Sequence, residues 1–284
     1  MTARTAQPDR ARGRPRDRGS AGPGVARAGG RVVLLAGRGD ATHVVYHYLA
    51  ALFDDVVAVV EDPPSRLTLA HRRARRLGWR QAFGQVAFVV LGMPVLRWVA
   101  RNRIATILAD AGLDATPIET LRRVPSVNDP ETIEVLRRLD PSVVVVNGTR
   151  IIARDVLEAI GCPVVNIHTG ITPTYRGVHG GYWALVEGRP DLAGVTVHLV
   201  DPGIDTGDVL AQGAFEPGPG DSIVTYPYLQ LARGLPLLSA QVERCLAGRP
   251  LAPQSTDLTT GESQLRWHPT LWGYVARRVR LGVR

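Results

Sequence analysis

The sequence contains no lysine: all 34 of its basic residues are arginine. This absence excludes enzymes that use a Schiff-base lysine and nucleotide-binding proteins that use a P-loop lysine. The chain has only two cysteines, Cys162 and Cys245, which lie far apart and without the spacing of metal ligands. Neither a disulfide nor a metal site is predicted, and a reduced, cytoplasmic setting is expected. The Arg-rich N-terminus lacks an apolar run, so no secretory signal is predicted either.

Charge is distributed unevenly along the 284 residues, whose net charge is +8. Residues 1–30 hold seven Arg and two Asp, residues 66–103 hold nine Arg and no acid, and residues 266–284 hold five Arg and no acid. The remainder holds 24 acidic residues and 13 Arg, so the central part of the chain is acidic. This distribution argues against a nucleic-acid-binding core, because basic residues would then cluster there.

The order of apolar segments predicts an α/β domain over residues 31–250. Residues 1–30 lack periodicity and are predicted to be a disordered arm, and residues 251–284 are a C-terminal extension of unassigned structure. A strand over 31–36, a helix through about Phe53 and a strand over 56–60 form a βαβ unit, hence a Rossmann-like, mostly parallel sheet. The turn contains only Gly-x-Gly, which is a weak dinucleotide fingerprint. A turn near the substrate is favoured, so Arg38 and Gly39 become candidates for acceptor binding.

Later segments continue the alternation. Asp129 and Pro130 predict the start of a helix that ends at Leu139, and the apolar run 143–146 predicts a central parallel strand. A helix over about 153–160, a strand over 164–168 and a last strand over 209–211 follow. Helical segments are predicted over about 222–246, with breaks at Pro227 and at 234–236.

Residues 66–110 interrupt this alternation with a helical insertion. Its first part, 67–77, is strongly basic, and its second part, 82–99, is mostly apolar but contains Gln85 and Arg97. The apolar part is shorter and more polar than a membrane span requires. Two alternatives stay open: a helical hairpin packed on the sheet edge, or a helix that lies on an anionic membrane or a partner protein.

Two segments carry polar side chains where chemistry is expected. In the strand 164–168, side chains alternate between faces, so Asn166 and His168 point the same way. The segment 194–208 reads as a strand that breaks at Pro202-Gly203 and leaves Asp205 in a glycine-flanked turn. A carboxamide, an imidazole and a carboxylate are therefore predicted to meet at the carboxyl ends of strands, where open α/β sheets bind ligands.

These motifs resemble those of the folate-dependent formyltransferases, which include methionyl-tRNA, glycinamide-ribonucleotide and amino-sugar formyltransferases. The resemblance covers roughly residues 31–212. The motifs that carry it are Asn166-Ile167-His168, Pro173-Thr174-Tyr175-Arg176-Gly177, Gly194-Val195-Thr196-x-His198 and Asp201-x-Gly203-Ile204-Asp205-Thr206-Gly207-Asp208. Residues 169–173 depart from the family pattern, which leaves acceptor binding open.

The resemblance implies 10-formyltetrahydrofolate as formyl donor and Asn166, His168 and Asp205 as catalytic residues. A neutral amide can donate to an oxyanion, and a carboxylate beside His168 is expected to raise its pKa and keep it cationic. The resemblance also implies a pterin pocket made by two loops. Its residues would be Asn147, Gly148, Thr149, Arg150 and Ile151 in the first loop and Asp201, Gly203 and Ile204 in the second.

For other polar residues near these motifs, the sequence gives only a weak indication of function or leaves two roles open. Tyr175 and His179 are candidates for the acceptor pocket, and Arg176 either holds a loop or binds an anionic substrate. Asp201 and Asp208 are turn residues or alternative carboxylates, and His198 is interpreted as a packing residue.

The sequence therefore predicts an N-formyltransferase that acts on a primary amine of a small molecule, with an amino sugar or related intermediate favoured. Three alternatives stay open. They are a formyltetrahydrofolate hydrolase, a methionyl-tRNA formyltransferase-like enzyme without the C-terminal tRNA domain, and a non-catalytic folate- or partner-binding module. Fewer than 75 residues follow Gln212, which is too few for that tRNA domain. The oligomeric state is left open.

Overall fold

A seven-stranded sheet forms the centre of the protein in a computed structural model that describes residues 29–63, 78–254 and 262–284. Its strand order is β3-β2-β1-β4-β5-β7-β8, and β6 pairs with β9 in a separate two-stranded sheet. The strands are β1 (Val32–Ala36), β2 (Val56–Glu61), β3 (Arg122–Val124), β4 (Val143–Asn147), β5 (Val164–His168), β6 (Tyr175–Gly177), β7 (Gly194–Leu199), β8 (Val209–Ala214) and β9 (Gln264–Arg266).

The predicted Rossmann-like architecture is confirmed. Strands β1 to β5 of the central sheet run parallel, whereas β7 is antiparallel to β5 and β8 is antiparallel to β7. β1 and β4 are buried on both faces, as expected for apolar, β-branched central strands. The short strands β3, β6 and β9 were not predicted, since three residues leave too little pattern to detect.

Seven helices flank the sheets within the described ranges. They are α1 (Asp40–Leu52), α2 (Trp79–Asp110), α3 (Pro130–Leu139), α4 (Arg154–Ala159), α5 (Gly180–Val186), α6 (Tyr226–Leu246) and α7 (Leu271–Leu281). Helix α3 begins as predicted, because the Asp129 side chain accepts a hydrogen bond from the Glu131 N–H and Pro130 occupies the first turn.

Helix α6 corrects the predicted breaks at Pro227 and 234–236. Pro227 lies in its first turn, where a missing N–H costs nothing, and Pro236 lies inside an unbroken helix. Gly234 explains why the helix is retained: a Cβ there would lie 2.6 Å from Val195 Cγ2, so the glycine lets α6 pack closely on β7. Burial of Leu235 and Leu238 in the core then outweighs the local cost of proline.

Helix α2 is longer than predicted, because it continues for 32 residues through a π-helical turn at Phe88–Gly92. By length and composition it is apolar enough to cross a membrane, with a mean hydropathy of 1.6 over an 18-residue window that is 22% buried. Length and composition alone therefore do not exclude a span, contrary to the expectation from the apolar part 82–99. Its ends pack on α6 and α7. The basic segment 67–77, which would form the other arm of a hairpin, lies outside the described residues, as do residues 1–28.

The C-terminal extension, for which no structure was predicted, packs on the segment between β5 and α5. Strand β9 pairs in parallel with β6, and the Val178 N–H donates to the Arg266 carbonyl. Arg266 also forms an ion pair with Glu187. Residues far apart in the sequence thus complete one side of the structure around β6.

Glu61 joins three loops at the carboxyl end of β2. Its carboxylate, 4% exposed, accepts hydrogen bonds from the N–H groups of Arg150 (2.7 Å) and Val127 (3.1 Å). It also pairs with the Arg150 guanidinium, whose Nη2 donates to the Asp62 carbonyl at 2.6 Å. This buried carboxylate therefore holds the loop that follows β4.

We predict that Glu61→Ala lowers the free energy of unfolding by about 2–3 kcal/mol, because it leaves two N–H groups and a half-buried guanidinium without their acceptor. Urea unfolding followed by circular dichroism measures the loss. Glu134→Ala on α3, which removes an exposed carboxylate from pairs with Arg137 and Arg138, is the control and should cost less than about 1 kcal/mol. Equal losses for the two variants would contradict the prediction.

Candidate active site

Alternation along β5 places two polar side chains on one face of the sheet, as predicted. Val165 and Ile167 belong to the apolar cluster on one side, and Val164 belongs to the cluster on the other side. Asn166 and His168 share the face of Val164, and His168 is only 6% exposed. The strand therefore fixes both side chains two residues apart without help from a flexible loop.

Asp205 lies in the hairpin loop that joins β7 to β8. Because β7 is antiparallel to β5, this loop does not follow the carboxyl end of a parallel strand, which corrects the predicted placement. The loop instead folds back toward β5. Asp205 has a left-handed backbone (φ 51°), and Asp201 braces the turn by accepting from Gly203 N at 3.1 Å and Thr206 Oγ1 at 2.7 Å. This geometry assigns Asp201 to the turn.

The three predicted side chains converge on the Asp205 carboxylate. Its Oδ1 lies 3.4 Å from His168 Nδ1 and 3.5 Å from Asn166 Nδ2. Its Oδ2 accepts a 2.9 Å hydrogen bond from the Gly177 N–H at the end of β6. The carboxylate thus connects β5, β6 and the β7–β8 hairpin at one point.

His198 also belongs to this cluster, which corrects its interpretation as a packing residue. Its Nδ1 lies 2.6 Å from the Leu199 carbonyl, and its Nε2 lies 2.9 Å from Asn166 Nδ2. The same Nε2 lies 3.7 Å from Asp205 Oδ1. The antiparallel register of β7 with β5 pairs Asn166 with His198 and so places the His198 ring in the cluster. A prediction of antiparallel pairing between the two motif strands would have revealed it.

Burial controls the charges of the cluster. Desolvation opposes ionisation of Asp205, but His168, His198 and the Gly177 N–H outweigh it and lower the pKa of Asp205 to about 2. Desolvation lowers the pKa of His168, and the opposing effects of Asp205 and the Tyr175 carbonyl do not cancel it. The expectation of a raised His168 pKa is therefore wrong, because the nearly complete burial of the ring was not visible in the sequence.

A neutral His168 has one proton for two acceptors. Its Nε2 lies 2.9 Å from the Tyr175 carbonyl, and its Nδ1 faces Asp205. With one ring nitrogen unprotonated, the imidazole can take up a second proton, and the resulting cation would then satisfy both acceptors. This arrangement suits a general base whose conjugate acid is stabilised in place.

The first predicted cofactor loop follows β4. Asn147 is buried, Gly148 has a left-handed backbone (φ 64°), and Thr149 is half-buried. The Arg150 guanidinium is held by Glu61 and Asp62, so this side chain serves the loop. Ile151 is 53% exposed beside these polar residues.

The two predicted cofactor loops contribute to the same apolar cluster. Ile152 from the first loop and Val200 from the start of the second pack in the same apolar cluster. In the second loop, the Ile204 carbonyl accepts from Arg176 Nη1 at 3.2 Å, and Gly203 lies in the turn that Asp201 braces. This bond favours the interpretation of Arg176 as a residue that holds the loop.

The other predicted acceptor residues lie in different surroundings. The Arg38 guanidinium pairs with Asp62, next to Gly39 at the start of α1. Tyr175 is 1% exposed and its hydroxyl donates to Glu187, so its side chain does not face an acceptor, which corrects that assignment. The sequence missed this because a tyrosine in a turn motif gives no sign of burial.

His179 lies against the C-terminal extension. Its Nε2 is 2.9 Å from His268 Nδ1, and burial, together with His268 and Arg97, lowers the pKa of His179 to about 3. The adjoining cleft, about 880 Å³ in volume, includes His268 and is rich in tryptophan and arginine. Those cleft residues are Trp79, Trp183, Trp267, Trp272, Arg80, Arg266 and Arg277.

An open α/β sheet with a buried Asn–His–Asp cluster is one class of enzyme scaffold, and sequence comparison gives the family. A profile described as formyl transferase matches residues 54–228, which is more than half of the chain. The chain therefore belongs to the formyl transferase family. The aligned segment contains the whole Asn166, His168, His198 and Asp205 cluster.

Curated relatives are methionyl-tRNA formyltransferases. The chain is 30% identical over 135 residues to the enzyme of Geobacter sulfurreducens, covering 47% of this chain and 42% of the relative. It is 32% identical over 148 residues to that of Trichlorobacter lovleyi, covering 52% and 45%. The chain thus spans just under half the length of these relatives.

Solved structures share the fold at low sequence identity. A sugar N-formyltransferase from a Shewanella species superposes with a TM-score of 0.51 at 13% identity, covering 83% of this chain and 76% of that one. A glycinamide ribonucleotide transformylase from Symbiobacterium toebii superposes with a TM-score of 0.50 at 19% identity, covering 78% and 89%. At such identities the likeness establishes the fold alone.

We predict that the free energy of unfolding depends less on pH in Asp205→Asn than in the wild type at acidic pH. The folded-state pKa of Asp205 lies below the usual value, so the ionised carboxylate contributes stability above about pH 4 that is lost as pH falls through about 2. The wild type should therefore lose about 2 kcal/mol more than the variant between pH 5 and 2. Urea unfolding across this range measures the difference. Asp208→Asn, in the same loop but exposed, should keep the wild-type slope, and a steep slope in Asp205→Asn would contradict the assignment.

Proposed function

We propose that the protein transfers a formyl group from 10-formyltetrahydrofolate to a primary amine. The observation that carries this proposal is the buried cluster in which Asn166, His168 and Asp205 converge, in a chain of the formyl transferase family. When bound, the folate supplies the activated formyl carbon.

The loops that follow β4 and β7 fit a folate. A pterin ring offers a flat apolar face and an edge of hydrogen-bonding groups, and the first loop combines an exposed Ile151 with turn backbone at Gly148. The shared apolar cluster of Ile152 and Val200 keeps this loop beside the one that carries Asp205. Residues 147–151 and 201–204 would therefore hold the donor next to the polar cluster.

Proton transfer is the task of His168. Attack of an amine on a formyl carbon leaves a positive nitrogen and a negative oxygen, and neutral His168 would accept the proton from that nitrogen. The same proton would then pass from His168 to the folate nitrogen, whose bond to the formyl carbon breaks as the carbonyl reforms. The imidazolium that forms faces the Asp205 carboxylate at 3.4 Å, which stabilises it. Asn166 Nδ2 has one firm partner, His198 at 2.9 Å, and one weak one, Asp205 at 3.5 Å. The weakly held N–H is the donor that would turn to the oxyanion.

An amino sugar that carries phosphate is the favoured acceptor. The cleft beside His179 offers the faces of several tryptophans, on which a sugar ring can stack, and arginine side chains that can pair with phosphate. Arg266 links the cleft to the cluster, because its strand pairs with Gly177, whose N–H binds Asp205.

Methionyl-tRNA is the second candidate, supported by the activity of the curated relatives. A direct assay separates the candidates. The protein is incubated with 10-formyltetrahydrofolate and either nucleotide-linked amino sugars, glycinamide ribonucleotide or methionyl-tRNA, and mass spectrometry detects formylated product. A formylated amino sugar supports the proposal. Formylation of methionyl-tRNA instead would show that methionyl-tRNA, and not an amino sugar, is the acceptor. Release of formate without an amine indicates a hydrolase, and no turnover with any acceptor indicates a binding module.

We predict that Asp205→Asn lowers kcat by about 100-fold or more with a smaller change in KM, because the imidazolium loses its counter-charge in the transition state. The acid limb of the rate profile should move to lower pH, since removal of the carboxylate lowers the pKa of His168 further. Steady-state kinetics with the best amine measures both. Asp208→Asn is the matched control and should retain activity. If Asp205→Asn left both kcat and the pH–rate profile unchanged, another residue would have to supply the carboxylate that stabilises the imidazolium.

A further inference from the structure

Exposed apolar side chains are concentrated on two helices. Fourteen large apolar residues are exposed within residues 29–63, 78–254 and 262–284, and twelve of them lie on α2 or α7. The most exposed are Trp79, Phe83, Trp98 and Val99 on α2 and Val279 on α7, the last at 79%. Soluble proteins rarely expose so many large apolar side chains on adjacent elements without a binding function.

The two helices form one continuous surface, here called the α2–α7 face. A Cβ added at Gly84 would lie 2.4 Å from the Trp272 ring, and one at Gly92 would lie 3.3 Å from Leu271 Cδ1. Two glycines of α2 therefore let α7 approach closely. The first half of α2 therefore packs against α7, and the exposed apolar side chains of the two helices are carried by adjoining elements.

The charges on the two helices are mostly positive, and Asp110, at the last residue of α2, is the acid within them. Residues 79–103 contain four Arg and no acid, and residues 263–284 contain five Arg and no acid. Arg103 pairs with Asp221 and Arg266 pairs with Glu187, but Arg97 and Arg101 are exposed, and the Arg101 guanidinium lies 5.0 Å from the centre of the Trp98 ring. An apolar surface with a cationic border fits an anionic partner.

Helix α2 lies along the protein, with one side packed and the other exposed. Phe88 is fully buried, Gln85 is 2% exposed, and Ile107 is 3% exposed near the other end. To cross a bilayer, α2 would have to leave the body of the protein and place Gln85 and Arg97 in hydrocarbon. The geometry therefore favours a helix that lies parallel to a membrane surface.

A second copy of the chain is a poorer partner for the same face. In a two-fold dimer the face would meet itself, and its arginines would oppose one another without carboxylates to pair with. A bilayer instead offers phosphates at the level of the arginines and acyl chains below them. Trp79 and Trp98 lie about 28 Å apart along α2, and tryptophan is the side chain that prefers the membrane interface.

We propose that the α2–α7 face docks in the plane of an anionic lipid bilayer, with its apolar side chains at the boundary between headgroups and acyl chains. The arginines at its border pair with lipid phosphates. This inference does not rest on formyl transfer. Because Trp79 and Trp272 border both the acceptor cleft and this face, the variants that test docking are placed away from the cleft.

Flotation of the full chain with lipid vesicles tests the proposal. Vesicles of phosphatidylcholine alone are compared with vesicles that also contain phosphatidylglycerol. We expect about tenfold or stronger binding to the anionic vesicles, and a fall in binding as salt is raised. Brominated lipids should quench tryptophan fluorescence when the bromine is placed near the headgroups more than when it is at the bilayer centre.

Paired variants separate the apolar and the charged contributions. Val95→Glu with Trp98→Glu should lower binding about tenfold or more, because both side chains are exposed and would carry charge into the acyl region. Arg97→Glu with Arg101→Glu should abolish the preference for anionic vesicles. Leu52→Glu on α1 and Arg138→Glu on α3 are matched exposed controls and should bind like the wild type. Circular dichroism and thermal unfolding confirm that each variant is folded.

Four outcomes would overturn the proposal. They are absence of binding to anionic vesicles, equal binding to both vesicle types at all salt concentrations, equal losses in the controls and the α2 variants, and retention of the protein in membranes after alkaline carbonate extraction. The last would indicate a spanning helix. Self-association without lipid that Val95→Glu with Trp98→Glu abolishes, together with absence of vesicle binding, would assign the face to a second copy.

Discussion

The Asp205 carboxylate is the interaction on which the candidate site depends. It is largely buried, and a buried carboxylate persists only where hydrogen bonds and positive or polarisable neighbours compensate its lost hydration. Here the compensation comes from three elements: the Gly177 N–H of β6, the Asn166 amide and His168 ring of β5, and the His198 ring of β7. The same contacts that allow the charge to exist also fix the positions of the groups that would transfer protons. Removal of the charge would therefore loosen the geometry as well as alter the chemistry.

The sequence supported prediction of the sheet and of the principal polar residues. Strand β1 and residues 143–146 of β4 are uninterrupted apolar runs, and helix α3 carries its cap and its proline in the expected places. Patterns within each segment were therefore enough to predict these elements. Asn166 and His168 followed from strand alternation alone. These features depend on neighbours within a few residues, which is the range over which single-sequence patterns are informative.

The missed features depend on contacts between distant segments. His198 enters the cluster only through the antiparallel register of β7 with β5, and the sign of the His168 pKa shift depends on how completely the ring is buried. Helix α6 keeps its proline because Gly234 packs against β7. In each case tertiary packing outweighed the local preference, and no periodicity in the sequence records that packing.

The pairing of β6 with β9 joins the segment that matches the family to residues that follow it in the chain. The segment that matches the family, 54–228, contains all four members of the polar cluster, whereas β9, His268 and α7 come from residues after it. The tryptophan- and arginine-lined cleft is therefore bordered from both parts: Trp79 and Trp183 lie within the matched segment, whereas Arg266 and Trp272 follow it. Substitutions in residues 262–284 can reshape the cleft while β5 and the β7–β8 hairpin remain unchanged. New acceptor specificities could thus evolve on an unaltered catalytic core.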